Sequence, residues 1–167
     1  LQGFDLVIFQ NFWFNSFSRI DDRQFLENLS DYVEDGGAFL MVGGDASFGA
    51  AEYGRSALDR VMPTAMPETE LLSVPFAATL TELGLRHPVT RLTRDPSANE
   101  PRWQSLPSLQ GMNPLGALHD SATTLVEDGE GRAVVAVRNA GRGRTMAVAT
   151  DTTWNWALAG SEGEGTG

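Results

Sequence analysis

The sequence predicts an α/β domain, a parallel βαβ centre followed by an antiparallel β extension in the C-terminal third. Three observations predict it. The apolar run Ala38 to Val42 (AFLMV) lies between the glycine pairs Gly36-Gly37 and Gly43-Gly44, and a run of that length between turn signals fits a strand buried on both faces. A helical pattern precedes it, and a second contiguous apolar run, Phe4 to Phe9 (FDLVIF), precedes the helix, giving strand, helix and strand in sequence. The last third carries short β-branched runs separated by glycine-bearing turns, the pattern of a meander.

In the first strand, Leu6, Val7, Ile8 and Phe9 are contiguous apolar residues, as in a central parallel strand. Gln10 and Asn11 follow at its carboxyl end, placed either to face a cleft or to hydrogen-bond the neighbouring loop. The aromatic cluster Phe12, Trp13, Phe14 and Phe17 reads as packing or an interface. Asp21 to Asp35 is the clearest helix: Phe25, Leu26, Leu29, Tyr32 and Val33 fall on one face of a 3.6-residue period. Asp21 and Asp22 suit the positive end of its dipole, Gly36 suits the left-handed residue that ends it, and Glu27, Asp31, Glu34 and Asp35 lie off the apolar stripe. The two strands are expected to be adjacent and parallel. Leu26, Leu29 and Val33 are expected to be buried against the sheet with Ile8 and Leu40.

Gly43 to Gly49 (GGDASFG) leaves the carboxyl end of the second strand, the edge at which open α/β sheets bind ligands. Gly49 to Gly54 is a small-residue connection, and Ser56 to Met62 a short helix or turn ended by Pro63. Pro63, Pro67 and Pro75 interrupt regular structure. Phe76 to Leu83 fits a strand or short helix, Val89 to Leu92 an extended piece, and Asp95 to Gly116 an irregular excursion anchored by Trp103 and Leu106. The runs Thr123 to Val126, Ala133 to Val137 and Thr145 to Thr150 form the meander, with turns at Glu127 to Arg132 and Asn139 to Arg144.

Composition removes several classes of function. The 167 residues fit one domain. With no cysteine, disulfides, thiolate metal sites and a cysteine nucleophile are excluded. A net charge of −10 argues against nucleic acid and against an anionic membrane surface, both of which need a basic footprint, and reads as solubility. No apolar run approaches the ~20 residues of a membrane span, so no direct membrane insertion is expected of this segment, and the start shows no signal-peptide pattern. The start at Leu1 and the polar glycine-rich stretch Gly160 to Gly167 read as cuts from a longer chain.

The candidate chemistry clusters in the loop after the second strand. A hydrolase elbow has the pattern G-x-S-x-G; around Ser47, Gly49 matches and Asp45 stands at the earlier glycine position. A nucleophilic Ser47 needs a base, and the only histidines are His87 and His119. The order Ser47, Asp95, His119 follows that of an α/β-hydrolase triad without a supporting spacing. The other reading of Ser47 is a cap on the following turn. Asp45 and Asp151 both fall at carboxyl ends of strands if Thr145 to Ala149 joins the parallel sheet. Such a pair can hold a cation or do acid–base work, or each carboxylate can make local turn bonds. Gly43 and Gly44 offer backbone N–H groups to an anion. Arg142 and Arg144 read as surface charges and His119-Asp120 as a turn pair. No metal-ligand spacing and no cofactor motif is present.

The segments FDLVIFQNF, YVEDGG, AFLMVGGDASFG and GRGRTMAVATDTTWNW together resemble the class I glutamine amidotransferase-like domain, in particular its bacterial branch, often found in larger membrane-associated proteins, some with von Willebrand factor A-type domains. The resemblance implies a flavodoxin-like parallel sheet flanked by helices. It also implies a βα unit before Leu1, a helix after the tail, and a tether to a bacterial inner membrane through segments outside these residues. Active members carry a cysteine in a strand–elbow–helix turn and a His-x-Glu pair after a late strand, the thiolate attacking the amide carbon. Here 43–49 has no cysteine, and the late position reads Thr150-Asp151-Thr152-Thr153 without histidine. His87-Pro88-Val89 has Val89 where a His-Pro-Glu motif has glutamate, and lies mid-chain. The expectation is a non-catalytic binding or scaffolding module of a larger, membrane-associated bacterial protein. Its partners would be other domains of the same chain, a protein, or a small molecule held by Gln10, Asn11, Gly43, Gly44, Asp45 and Ser47. The alternative is a hydrolase or amidotransferase-type enzyme using Ser47 or the Asp45/Asp151 pair.

Overall fold

A computed structural model describes residues 1, 3–14 and 22–159. Phe17, Asp21 and the tail 160–167, named above, lie outside the described residues. The strands are β1 (Leu6–Gln10), β2 (Ala38–Val42), β3 (Thr79–Leu80), β4 (Ala122–Glu127), β5 (Ala133–Ala140) and β6 (Gly143–Val148). They form one sheet in the order β1-β2-β6-β5-β4-β3. β1 pairs β2 in parallel, Leu6 opposite Ala38, and β2 pairs β6 in parallel. β6, β5, β4 and β3 are successively antiparallel. The sheet is therefore mixed, and β6 belongs to both the parallel part and the meander.

Helix α1 (Asp22–Glu34) joins β1 to β2. Its apolar stripe, Leu26, Leu29 and Val33, is buried in one cluster with Phe9, Phe39, Met41 and Ala147. The acidic face is not merely solvated: Arg60 reaches Glu27, Asp31 and Glu34 at 2.7, 2.6 and 3.2 Å. Ser30 donates from the helix to the Ala57 carbonyl at 2.8 Å. Gly36, after the helix, adopts φ +119°, which only glycine takes without strain.

The expectation for Ile8 is corrected. Ile8 is 54% exposed and Leu6 46%, and Leu40 is half-buried. Side chains alternate along a strand, so Phe9, Phe39 and Met41 face α1 while Leu6, Ile8 and Leu40 face the opposite side. A contiguous apolar run signals cover on both faces, but among the described residues helical cover of β1 and β2 lies on one face only.

A second cluster holds Trp103, Leu109, Met112, Leu125, Val126, Val134 and Ala149. It includes a helix, α2 (Pro96–Gln104), where the sequence predicts an irregular excursion. Asp95 caps it, accepting from the Ser97 N–H at 2.9 Å, with Pro96 at its first position; both are ordinary helix-start signals. The extended piece expected from Val89 is instead a 3₁₀ turn, Pro88–Thr90, fixed by Trp103 Nε1 donating to the Thr90 carbonyl at 2.8 Å. Helix α3 (Trp154–Ala159) follows β6. The β4–β5 turn is pinned by Asp128, whose carboxylate accepts from the Glu130 and Arg132 N–H groups at 2.9 Å each and from the Arg132 side chain at 2.7 Å. Burial pushes the Asp128 carboxyl up, but these hydrogen bonds outweigh it and the net shift is downward.

Two outcomes follow. Leu29→Ala should destabilise by roughly 2–5 kcal/mol, the range for emptying a packed core site, and Ile8→Ala should stay within about 1 kcal/mol, both read from denaturant midpoints. A carboxyl with a depressed folded-state pKa stabilises above its unfolded value and loses that contribution as pH falls through the folded value. Asp128→Asn should therefore lower Tm at neutral pH, and the gap to the parent should close on acidification.

Candidate functional site

The candidate loop leaves β2 where β2 and β6 run side by side. The Gly43 N–H donates to the Val148 carbonyl at 2.8 Å. A Cβ on Gly43 would stand 2.5 Å from the Ala149 oxygen, so a side chain there would force the two chains apart. Gly44 has φ +131°, and a Cβ on it would overlap the Asn11 side chain. Asn11 itself takes the left-handed conformation, φ 48°, and its Oδ1 accepts from the Ala46 N–H at 3.0 Å. Of the two readings of Asn11, bonding to the neighbouring loop is what the structure shows. Gln10 is exposed.

The centre of the loop is held by Asn113, which the sequence reading missed. It is 1% exposed. Its Oδ1 accepts from the Gly44 N–H at 2.8 Å, and its Nδ2 donates to the Gly44 and Ser47 carbonyls at 3.1 and 3.4 Å. Its own N–H donates to the Ala149 carbonyl at 2.7 Å, tying the loop to the end of β6. Only its place in Gly111-Met112-Asn113-Pro114, a turn-like run inside a proline-rich stretch, set it apart in the sequence.

Ser47 is 1% exposed, and its Oγ donates to the Val42 carbonyl at 2.7 Å. It occupies the first position before the 3₁₀ turn Phe48–Ala51 but makes no side-chain cap there; the hydroxyl turns back to the strand instead. The Ser47 N–H bonds the Gly44 carbonyl at 3.2 Å, and the Phe48 N–H points at Met41 Sδ at 3.4 Å. The N–H groups of Gly43, Gly44, Ala46, Ser47 and Phe48 are thus all engaged within the protein. Phe48, at φ 51° and fully buried, and Tyr53, whose hydroxyl donates to the Phe12 carbonyl at 2.5 Å, close the loop from below. Burial pushes the Tyr53 hydroxyl well above its usual pKa.

The structure does not bring Ser47, Asp95 and His119 into contact. Asp95 caps α2, and His119 Nε2 lies 3.8 Å from the Asp59 carboxylate. His87 Nδ1 accepts from the Val89 N–H at 3.2 Å. Asp45 is exposed and borders a depression with Glu52, Glu68 and Glu70 that Asp151 does not line. Asp151 is half-buried and stands between the hydroxyls of Thr150 and Thr152, which bond each other at 2.9 Å. Among the described residues no three His, Cys, Asp or Glu side chains form a metal-holding group.

A mixed sheet with a glycine-rich loop at the carboxyl end of its central parallel strand defines an α/β domain. The chain belongs to the GATase1-like family, described as "Putative glutamine amidotransferase", which matches residues 3–161. Among solved structures it is similar to cytoplasmic protein STM1381 from Salmonella typhimurium LT2, with 22% identity over 94% of this chain and 64% of that one and a TM-score of 0.74. Cytoplasmic protein STM3548 from Salmonella typhimurium gives 21% identity over 89% and 61% of the two chains and a TM-score of 0.72. The β-galactosidase from Rahnella sp. R3 shares the fold at 17% identity and a TM-score of 0.56, over 97% of this chain and 23% of that one. This chain spans less than two thirds of the length of the two Salmonella proteins. Among curated proteins none matches it.

The loop's bonding sets a ranking. Asn113→Ala strands buried groups of Gly44 and Ser47, each costing about 1–3 kcal/mol, whereas Ser47→Ala removes one hydrogen bond, worth about 1 kcal/mol. Denaturant midpoints should place Asn113→Ala clearly below Ser47→Ala.

Proposed function

We propose that this domain is a non-catalytic, amidotransferase-like binding or scaffolding module of a larger, membrane-associated bacterial protein. One observation carries the reading: the only hydroxyl in the elbow-like loop, that of Ser47, is buried and bonded to the Val42 carbonyl, in a chain with no cysteine. Acyl transfer needs an accessible nucleophile, a base beside it and a group orienting that base. Ser47 has a carbonyl where the base would be; His87 Nδ1 is taken up by the Val89 N–H, and His119 Nε2 lies 3.8 Å from the Asp59 carboxylate, not beside Ser47.

Recognition at this edge falls to different groups. Asn11, Gly43, Gly44 and Ser47 act through the shape of the loop, while exposed Gln10 and Asp45 are the side chains offered to a ligand. The fold's occurrence as about a quarter of the Rahnella β-galactosidase chain supports its use as one module among others. No helix of the described residues is long and apolar enough to cross a membrane, so membrane association falls to other parts of the polypeptide, as the family resemblance implies.

The test is ammonia release from glutamine, measured on the intact protein and on Ser47→Ala. Both should sit at the buffer rate. Turnover in the parent that disappears in Ser47→Ala would overturn the reading in favour of a serine enzyme.

A further inference from the structure

We propose that the segment 83–94 is a strap by which this domain rests against an anionic lipid surface. The proposal goes beyond the module reading and needs neither the loop nor Ser47. The run reads LGLRHPVTRLTR, with three arginines and no Asp or Glu, in a chain of net charge −10. Its inward residues tie it to the body. Gly84 is buried, and a Cβ on it would overlap the Leu125 carbonyl. The Thr90 side chain, 2% exposed, bonds the Gly84 carbonyl, and the Thr90 carbonyl accepts from Asn99 Nδ2 and Trp103 Nε1 at 3.2 and 2.8 Å. Asn99 Oδ1 accepts from the Leu92 N–H at 2.8 Å. Every exposed residue of the strap is apolar or arginine. Leu85 and Leu92, 38% and 46% exposed, stand with Arg91 and Arg94 away from the groove over the sheet, while Leu83, Arg86 and Val89 border it. Among the described residues none of the three arginines has a carboxylate partner.

Size and charge choose the partner. The twelve residues 83–94 are about half of the 20–30 that a stable protein interface takes from each side. A bilayer surface conforms to what is presented to it, and a few apolar side chains beside basic ones are enough for contact. Guanidinium groups match phosphate oxygens with two parallel hydrogen bonds, and basic residues are drawn to anionic headgroups. The charge of the whole chain argues the other way, but charges more than about 8 Å away are largely screened at physiological ionic strength. Glu27, Asp31 and Glu34 lie on α1, across the sheet, and are held by Arg60. Asp45, Glu52, Glu68 and Glu70 border a separate depression. Glu82 and Asp95 flank the run, and Asp95 is committed to the Ser97 N–H. The strap therefore carries a local positive sign on a negative domain.

Hydrogen exchange read by mass spectrometry on the intact protein gives a local test. Vesicles of equimolar phosphatidylglycerol and phosphatidylcholine should slow exchange in peptides covering 83–94 by at least about tenfold, because contact suppresses local opening. Peptides around Val74, 65% exposed, should not change, and phosphatidylcholine alone should protect neither. Arg91→Gln combined with Arg94→Gln should raise the lipid concentration for half-protection by roughly thirtyfold, about fivefold for each arginine. Arg23→Gln, exposed on α1 across the sheet, should leave it unchanged. Leu92→Ala should raise it several-fold through lost apolar contact, which charge pairing alone would not do. Unfolding midpoints of these surface variants should match the parent. Exchange at 83–94 unmoved by anionic vesicles overturns the proposal, as does equal protection by phosphatidylcholine or an unaltered titration in the double arginine variant. Parent-like binding by Leu92→Ala overturns the apolar part of the contact. Protection that grows with protein concentration in the absence of lipid overturns the proposal in favour of a second copy. Glutamine turnover would bear only on the non-catalytic reading and leave the strap standing.

Discussion

The structure depends on the seam between β2 and β6, the one place where the parallel and antiparallel parts of the sheet join. A glycine stands at each end of that seam. At the carboxyl end Gly43 lies against Ala149; at the amino end a Cβ on Gly143 would overlap the carbonyl oxygens of Val33 and Gly37. Backbone approaching backbone at these distances admits no side chain. If either end opened, α1 would lose the floor formed by Ala147, and the loop would lose the carbonyls of Val148 and Ala149 that anchor Gly43 and Asn113.

That seam also explains the character of the candidate loop. A loop at the carboxyl end of parallel strands normally presents N–H groups to a ligand. Here those groups are committed to Asn11, Asn113, Val148 and Gly44. The result is a rigid edge with few free polar groups. Buried polar groups that satisfy each other fix one conformation strongly.

The two faces of the sheet are treated unequally. One carries α1, the 3₁₀ turns 48–60 and a densely packed aromatic group, with Phe9 and Phe39 edge to face at 5.1 Å. The other carries α2, α3 and the segment 84–90 toward β4 and β5, and among the described residues no helix covers β1 and β2 there. Apolar residues open to water contribute nothing to the hydrophobic term, so Leu6 and Ile8 add little to the stability of this core.

What the sequence determined by itself was local. Glycine pairs and a five-residue apolar run located β2, a 3.6-residue period located α1, and β-branched runs between glycine turns located the meander, because each signal acts over a few residues. The cap Asp95-Pro96 was equally legible, but the proline-rich setting hid it. What only the tertiary structure decided was non-local. A contiguous apolar run in β1 reads the same whether one face or two are covered, so the exposure of Leu6 and Ile8 waited on where the helices lie. The partner of Gly44 is Asn113, 69 residues away, and no short-range pattern links them. The Ser47 hydroxyl was legible as a nucleophile or a cap. Its bond to Val42 follows from the turn of the chain after β2, since the direction of a side chain is set by backbone geometry and packing, which residue identity alone does not specify.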